Sequence, residues 1–161
     1  MAKYNKIFAA LDGAATQEAV VRRALSIAHD NNAEVVLGHV IDSVPYEANG
    51  IDFAALIDDG HDRIEEELKK YLTRARNDEC IPSVDLQVRA GRVSECLMES
   101  LIEPLNPDLV ICGVRGLSNI KYAFVGSTST FLIRNMNCDV LVVRPEALED
   151  IDDAEYEAAM K

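Results

Sequence analysis

The sequence predicts an α/β fold in which five parallel strands form a single doubly wound sheet with helices on both faces. Short apolar runs alternate with longer amphipathic stretches along the chain. Four of the five strand candidates are apolar throughout, as strands buried on both faces are. The chain has 161 residues, which suits one domain and not comfortably two. The predicted strands are residues 6–11, 34–40, 84–90, 108–113 and 139–143, and the predicted helices are residues 16–31, 60–77, 93–102 and 127–136.

In the first half of the chain, residue spacing and helix-ending residues define the elements. The runs KIFAAL and EVVLGHV are the first two strands. Between them Thr16 caps a helix with apolar residues at helical spacing, and Asn31 and Asn32 end it. Residues 41–59 contain a proline, a glycine and several acids, which predicts a long loop with a turn of helix at 53–57 and a solvated acidic face. Residues 60–77 form an amphipathic helix.

The second half continues the alternation. The run VDLQVRA alternates apolar and polar residues, which predicts a strand with one face partly open. Gly91 turns the chain into the next helix, and Pro104 and Pro107 bracket the connection to the apolar strand DLVICG. A hydroxyl-rich helix and the strand DVLVV follow, and Arg144 and Pro145 close this last strand.

Composition and charge exclude several classes of function. The net charge is −12, so binding to nucleic acid phosphates or to an anionic membrane is disfavoured. No apolar run is long enough for a signal peptide or a membrane span. The four cysteines form no C-x-x-C pair and predict buried or half-buried free thiols in a reducing cytoplasm. The three histidines lie far apart and show no metal-ligand spacing.

The C-terminal segment differs from the rest of the chain. Residues 146–161 contain seven acids and one base. Acidic terminal runs of this kind are usually solvated. The sequence therefore predicts a domain at residues 1–145 and an acidic tail at residues 146–161.

The strongest chemical signal follows the fourth strand. Gly113 and Gly116 lie three residues apart, and after nine intervening residues Gly126 precedes the hydroxyl run Ser127-Thr128-Ser129-Thr130. Glycines leave backbone N–H groups open to an anion, and a helix N-terminus adds the positive end of its dipole. The pattern predicts a phosphate site, although loop glycines and helix-capping hydroxyls explain the same residues without a ligand. It is neither a Walker P-loop nor the G-x-G-x-x-G fingerprint.

These residues and their surroundings resemble the universal stress protein family. The spacing Gly113-x-x-Gly116-x9-Gly126-Ser127 matches the nucleotide-binding signature of that family. Residues 107–143, IFAALDG near the start and HVI at residues 39–41 are similar to further parts of it. The resemblance covers residues 3 to about 145. It implies the ATP-binding subgroup and a flavodoxin-like sandwich, of the kind found in adenine nucleotide alpha hydrolases, with strand order 3-2-1-4-5.

The resemblance also implies which residues hold an adenine nucleotide. Asp12 would lie beside the ribose or the phosphates, and Val40 would contact adenine through its backbone. Further nucleotide contacts would come from Ala10, Leu11, Gly113, Arg115, Gly116, Gly126, Ser127, Thr128 and Ser129. A carboxylate at a strand end can hold Mg²⁺ or Mn²⁺ that bridges phosphates, so Asp12 is also the candidate metal ligand, unless it caps the following turn. Ala10 stands where proline is common in the family, and Ala14 where a hydroxyl residue is common.

The sequence thus predicts a cytoplasmic stress-response protein that binds ATP, with AMP or ADP as alternative ligands, as a regulatory or sensing module. No nucleophile–base pair and no P-loop lysine is evident, which favours binding over catalysis. A slow ATPase or a nucleotidyl-transfer enzyme that uses the same site is the alternative. A phosphoacceptor receiver domain would need clustered acids at the first strand and a lysine after the last. This chain has only Asp12 and Arg144 at those places, so that class is disfavoured. An interaction module with a structural glycine loop remains open.

The last strand predicts a homodimer. Asp139–Val143 is apolar and is expected at the outer edge of the sheet. Pairing with the same strand of a second copy would satisfy its free N–H and C=O groups.

Overall fold

A parallel sheet organises the part of the chain that the computed structural model describes, which is residues 4–12, 16–114 and 126–144. Its strands are β1 (Lys6–Leu11), β2 (Glu34–Asp42), β3 (Val84–Gly91), β4 (Leu109–Gly113) and β5 (Asp139–Val143). They pair in the order β3-β2-β1-β4-β5, and every pairing is parallel. The predicted fold class and strand order are confirmed. The acidic tail lies outside the described residues.

Helices cover both faces of this sheet. They are α1 (Gln17–Asn31), α2 (Phe53–Glu67), α3 (Lys69–Arg76), α4 (Val93–Cys96), α5 (Glu103–Leu105) and α6 (Ser127–Asn135), with a 3-10 turn at Val44–Tyr46 and a π-helical segment, Leu97–Ile102, between α4 and α5. The first core contains buried residues of α1, α2 and α3, and the second contains buried residues of the π-helical segment and α6. The sheet is therefore the middle layer of three.

The two cores take alternate residues of each central strand. Ile7 and Ala9 of β1 belong to the core under α1, whereas Phe8 and Ala10 belong to the core under α6. Side chains alternate between the two faces of a strand, so both faces of β1 are covered. The apolar composition of β1 follows from this burial, since each residue from Ile7 to Leu11 is buried.

The segment between β2 and α3 differs from the sequence prediction. The turn of helix predicted at 53–57 is present, but it is the first part of α2, which runs from Phe53 to Glu67, so the predicted loop at 41–59 is too long. Asp52 caps it, and its Oδ1 accepts hydrogen bonds from the N–H groups of Ala54 at 3.0 Å and Ala55 at 3.3 Å. The single helix predicted at residues 60–77 is interrupted at Leu68, where φ is −102° and ψ is 7°.

Two further helix predictions are corrected. Thr16 precedes α1 as predicted, but its hydroxyl does not cap the helix and donates to Asp12 Oδ2 at 3.0 Å. The helix predicted at residues 93–102 continues through the π-helical segment into α5 and reaches Leu105. Pro104 lies within this helical stretch and does not end it. The predicted end of α1 is confirmed, with Asn32 in the left-handed region at φ 53°.

The cysteines are free thiols, as predicted. Cys112 is buried, and Cys80, Cys96 and Cys138 are half-buried. A search of the described helices for one long and apolar enough to cross a membrane finds none.

A buried polar cluster joins α1 to α3. The Tyr71 hydroxyl donates to a Glu18 carboxylate oxygen and accepts from Arg22 Nε at 3.0 Å. Arg22 Nη2 lies 3.5 Å from the same carboxylate, and its guanidinium lies 5.4 Å from the centre of the Tyr71 ring. Arg22 and Tyr71 are 7% and 3% exposed, so the hydroxyl lets a cation stay buried between two helices.

This cluster predicts an alkaline dependence of stability. Burial and the hydrogen bond to Glu18 raise the pKa of Tyr71 from 10.0 to about 12. The folded state therefore favours the neutral phenol, and this stabilisation is complete below the unfolded pKa of about 10 and is lost as pH rises through about 12. Tyr71→Phe should cost about 1–3 kcal/mol at neutral pH, because it removes the hydroxyl that accepts from Arg22 Nε and donates to Glu18, and the cost should shrink above pH 10.

Urea unfolding followed by circular dichroism between neutral pH and the alkaline range measures this difference. Tyr46→Phe is the matched control, because Tyr46 is half-buried and lies outside the cluster. A stability difference between wild type and Tyr71→Phe that stays constant with pH would contradict the assignment.

Candidate functional site

A cleft opens at the carboxyl ends of β1, β2 and β4. Its volume is about 650 Å³, within the roughly 300–1,000 Å³ of small-molecule sites. In this strand order the chain winds outward from β1 on one side and from β4 on the other, so the cleft lies where the winding reverses. Ligands of doubly wound sheets bind at this switch point.

The structure brings most of the predicted site residues to this cleft. Those that line it are Ala10, Leu11, Asp12, Val40, Gly113, Gly126, Thr128 and Ser129. Ser127 is exposed and is not part of the lining. Arg115 and Gly116 lie outside the described residues.

Close packing between α1 and β4 shapes the floor of the cleft. Asp12 is exposed directly after β1 and accepts the hydrogen bond from the buried Thr16. A Cβ atom on Gly113 would lie 2.8 Å from Thr16 Oγ1 and 2.9 Å from Thr16 Cβ. Gly113 therefore has a packing role, because any side chain there would displace Thr16 and its contact with Asp12.

The first turn of α6 forms another wall. Gly126 is the N-cap residue and its carbonyl accepts from Thr130 N–H at 3.0 Å. Within the described residues no side chain caps this helix. The Ser129 hydroxyl instead donates to the Gly113 carbonyl at 3.0 Å, which ties α6 to the end of β4. The first N–H groups of α6, which have no partner inside the helix, thus lie beside the cleft.

The outer wall of the cleft was missed by the sequence analysis. It consists of the 3-10 turn and α2, with the lining residues Pro45, Tyr46, Leu56, Asp59, Gly60 and Arg63. The available signal was Asp52 as an N-cap followed by apolar residues at positions 53, 56, 57 and 64. A Cβ atom on Gly60 would lie 2.9 Å from Ile41 Cδ1, so this glycine allows α2 to pack closely on β2.

His39 and Cys112 also line the cleft. His39 Nδ1 lies 2.8 Å from the Leu11 carbonyl oxygen. Because a carbonyl only accepts hydrogen bonds, Nδ1 carries the proton and Nε2 is the acceptor of the neutral ring. Burial raises the pKa of the Cys112 thiol, and a hydrogen bond with Ser129 partly offsets this effect. Cys112 is therefore a protonated, poorly nucleophilic thiol near neutral pH.

The charged side chains along the described lining are mostly acidic. Asp12, Asp42 and Asp59 are exposed at the cleft, and Arg63 is the cation beside them. An excess of carboxylates disfavours a bare polyanion but suits an anion that carries a divalent cation.

The fold and this cleft define a doubly wound α/β protein with a ligand-sized site at the switch point of its sheet. The chain belongs to the universal stress protein family, whose sequence profile matches residues 3–144. Two curated proteins named as universal stress proteins support this membership. One from Staphylococcus haemolyticus is 31% identical over 153 residues, 93% of this chain and 90% of that protein. One from Staphylococcus aureus strain USA300 is 32% identical over 148 residues, 92% of this chain and 89% of that protein.

Solved structures of universal stress proteins share the fold. UspA from Lactobacillus plantarum superimposes with a TM-score of 0.73 at 20% identity, covering 89% of this chain and all of that one. A universal stress protein in complex with cAMP superimposes with a TM-score of 0.57 at 22% identity, covering 88% of this chain and 98% of that one. At these identities the similarity shows the fold alone.

The contact between α6 and β4 predicts different roles for two neighbouring serines. Ser129→Ala should lower the free energy of unfolding by about 0.5–1.5 kcal/mol, because it removes the buried hydrogen bond to Gly113. Ser127→Ala is the matched control and should stay within about 0.5 kcal/mol of wild type, because Ser127 is exposed. Urea unfolding measures both values, and equal effects of the two substitutions would contradict the assigned contact.

Proposed function

We propose that this protein is a cytoplasmic stress-response protein that binds ATP in the cleft as a regulatory or sensing module. The observation that carries the proposal is the meeting of α6 with the ends of β1 and β4. The first turn of a nine-residue helix there presents N–H groups to a ligand-sized cleft. Such groups, with the positive end of the helix dipole, favour phosphate. The cAMP complex of a structural neighbour supports an adenine nucleotide as the ligand class.

The end of β2 suits the base of the nucleotide. The pairing of β1 with β2 ends at Leu11 and His39, whereas the pairing of β2 with β3 continues to Asp42 and Gly91. Residues 40–42 of β2 therefore extend past β1, and their edge on that side is not paired with it. Backbone donors and acceptors at this edge, which Val40 begins, match the hydrogen-bonding edge of adenine.

The charge of the cleft bears on the form of the ligand. The three exposed carboxylates repel free triphosphate, so ATP would bind together with Mg²⁺ or Mn²⁺. Asp12 would be the residue that binds this cation. When bound, the cation would neutralise phosphate charge. AMP and ADP remain alternative ligands, since the N–H groups of α6 recognise phosphate rather than the length of the phosphate chain.

The cytoplasmic assignment rests on the thiols. Cys80, Cys96, Cys112 and Cys138 are all free. Free thiols are typical of a reducing compartment.

Substitution of Gly126 tests nucleotide binding. Gly126→Val places a branched side chain at the N-cap of α6, where phosphate would approach, and should weaken Mg-ATP binding by more than about tenfold, or about 1.4 kcal/mol. Ala55→Val is the matched control, because Ala55 is exposed on α2 and is not part of the cleft lining. Isothermal calorimetry with Mg-ATP, Mg-ADP, AMP and cAMP measures the affinities, and circular dichroism checks the fold.

Two results would overturn the proposal. Unchanged Mg-ATP affinity in folded Gly126→Val would show that ATP does not bind in the cleft at the start of α6. Sustained steady-state phosphate release that is lost in Asp12→Ala would replace the sensing role with the slow-ATPase alternative.

The same proposal includes a homodimer through β5. This strand lies at an edge of the sheet, and its apolar residues Val140, Leu141 and Val142 are only half-buried. Ile133 of α6, a helix that packs against β5, is 53% exposed. Pairing of β5 with its counterpart in a second copy would satisfy the edge and cover these side chains.

Prolines at two adjacent positions test this interface. Successive N–H groups of a strand point to opposite sides, so Leu141→Pro and Val142→Pro remove one donor that faces β4 and one that faces outward. The wild type should sediment as a dimer at micromolar concentration, and the variant that loses the outward donor should be a folded monomer by circular dichroism. A monomeric wild type, or dimers in both folded variants, would show that β5 is not the interface.

A further inference from the structure

We propose that His29, Asp78 and Cys80 form a binding site for a divalent transition metal ion of the zinc type. One imidazole nitrogen, one carboxylate oxygen and the thiol sulfur lie within 4.8 Å of one another. The cluster lies near the amino-terminal ends of the strands, whereas the cleft lies at their carboxyl ends. It is therefore separate from the proposed nucleotide site.

The backbone holds two of the three ligands in place. Asp78 and Cys80 lie in the turn after α3, where Asp78 N–H donates to Ala75 O at 3.1 Å and Ile81 N–H donates to Asp78 O at 3.1 Å. Asp78 Oδ1 accepts from Cys80 N–H at 2.9 Å. This bond aims the second carboxylate oxygen, Oδ2, at His29 Nδ1, which is 2.7 Å away. The turn thus orients the carboxylate before any ion binds.

The third ligand comes from α1, which packs against this turn. His29 is the basic residue of the last turn of α1, and α3 ends just before Asp78. Two helix C-termini therefore converge on the cluster, and each contributes partial negative charge that favours a cation. The side chains of His29 and Asp78 are 18% and 9% exposed, so the site is shielded yet reachable from solvent.

The donor set selects the class of metal. Imidazole, carboxylate and thiolate are the ligands that Zn²⁺ takes in proteins, whereas Mg²⁺ and Ca²⁺ take oxygen ligands. Bond lengths of about 2.0–2.3 Å place tetrahedral ligands roughly 3.3–3.8 Å apart, so the three atoms reach this arrangement with shifts of under about 1 Å. Water completes the fourth position. The ion would replace the hydrogen bond between His29 and Asp78.

The thiol distinguishes a metal site from an ordinary ion pair. The hydrogen bond between His29 and Asp78 accounts for those two side chains without a metal. It does not account for the half-buried Cys80, whose Sγ makes no hydrogen bond within the described residues. A metal ion gives all three side chains a common partner.

Cobalt titration tests this proposal, because Co²⁺ occupies zinc sites and reports its ligands by absorbance. The reduced, nucleotide-free protein should bind one Co²⁺ per chain with a thiolate-to-cobalt charge-transfer band, and Zn²⁺ should displace it. Cys80→Ser should abolish the band. His29→Gln and Asp78→Asn should weaken binding by more than about tenfold, since even outer-shell substitutions cost about 10–100-fold.

Matched controls use residues of the same types outside the cluster. Cys96→Ser removes a half-buried thiol, and His61→Gln removes an imidazole on α2. Both should bind Co²⁺ as the wild type does. No charge-transfer band in the folded wild type, or a band that persists in Cys80→Ser, would overturn the proposal. Equal weakening by the control substitutions would also overturn it, because binding would then not depend on the cluster.

Discussion

Burial of both faces of the parallel sheet is the constraint on which the rest of the structure depends. β1 has helices above and below it, and its residues from Ile7 to Leu11 are buried. Polar side chains of the central strands can therefore reach a ligand only at the strand ends. Asp12, the first residue after β1, is exposed for this reason. The cleft is the direct result of where β1 stops and β2 continues.

Close approach between layers then shapes the cleft. Gly113 lets the end of β4 pass Thr16, and Gly60 lets α2 settle on Ile41 of β2. Larger residues at these two positions would hold the floor and the outer wall of the cleft farther apart. The hydroxyl of Ser129 joins α6 to the same strand end. The site is thus assembled from elements in separate parts of the sequence, and packing between helices and strands determines its dimensions.

Helix α1 connects the two ends of the sheet. The residue before its first turn, Thr16, donates a hydrogen bond to Asp12, and its last turn contains His29. Its 15 residues span roughly 22 Å at the usual rise of 1.5 Å per residue. Groups this far apart contribute almost independently to stability. The nucleotide cleft and the His29 cluster can therefore be perturbed separately, although one rigid helix supports both of them.

Apolar periodicity is a local property of the chain, and it was sufficient to predict the fold class and all five strands. The errors were also local in origin: Pro45 and Gly50 suggested a loop up to residue 59, so only one turn of helix was predicted at 53–57, where α2 runs from Phe53 to Glu67. Only the tertiary structure decided the outer wall of the cleft and the meeting of His29 with Asp78, which are 49 residues apart. No spacing rule predicts such a contact, because it depends on how α1 and α3 pack on one face of the sheet.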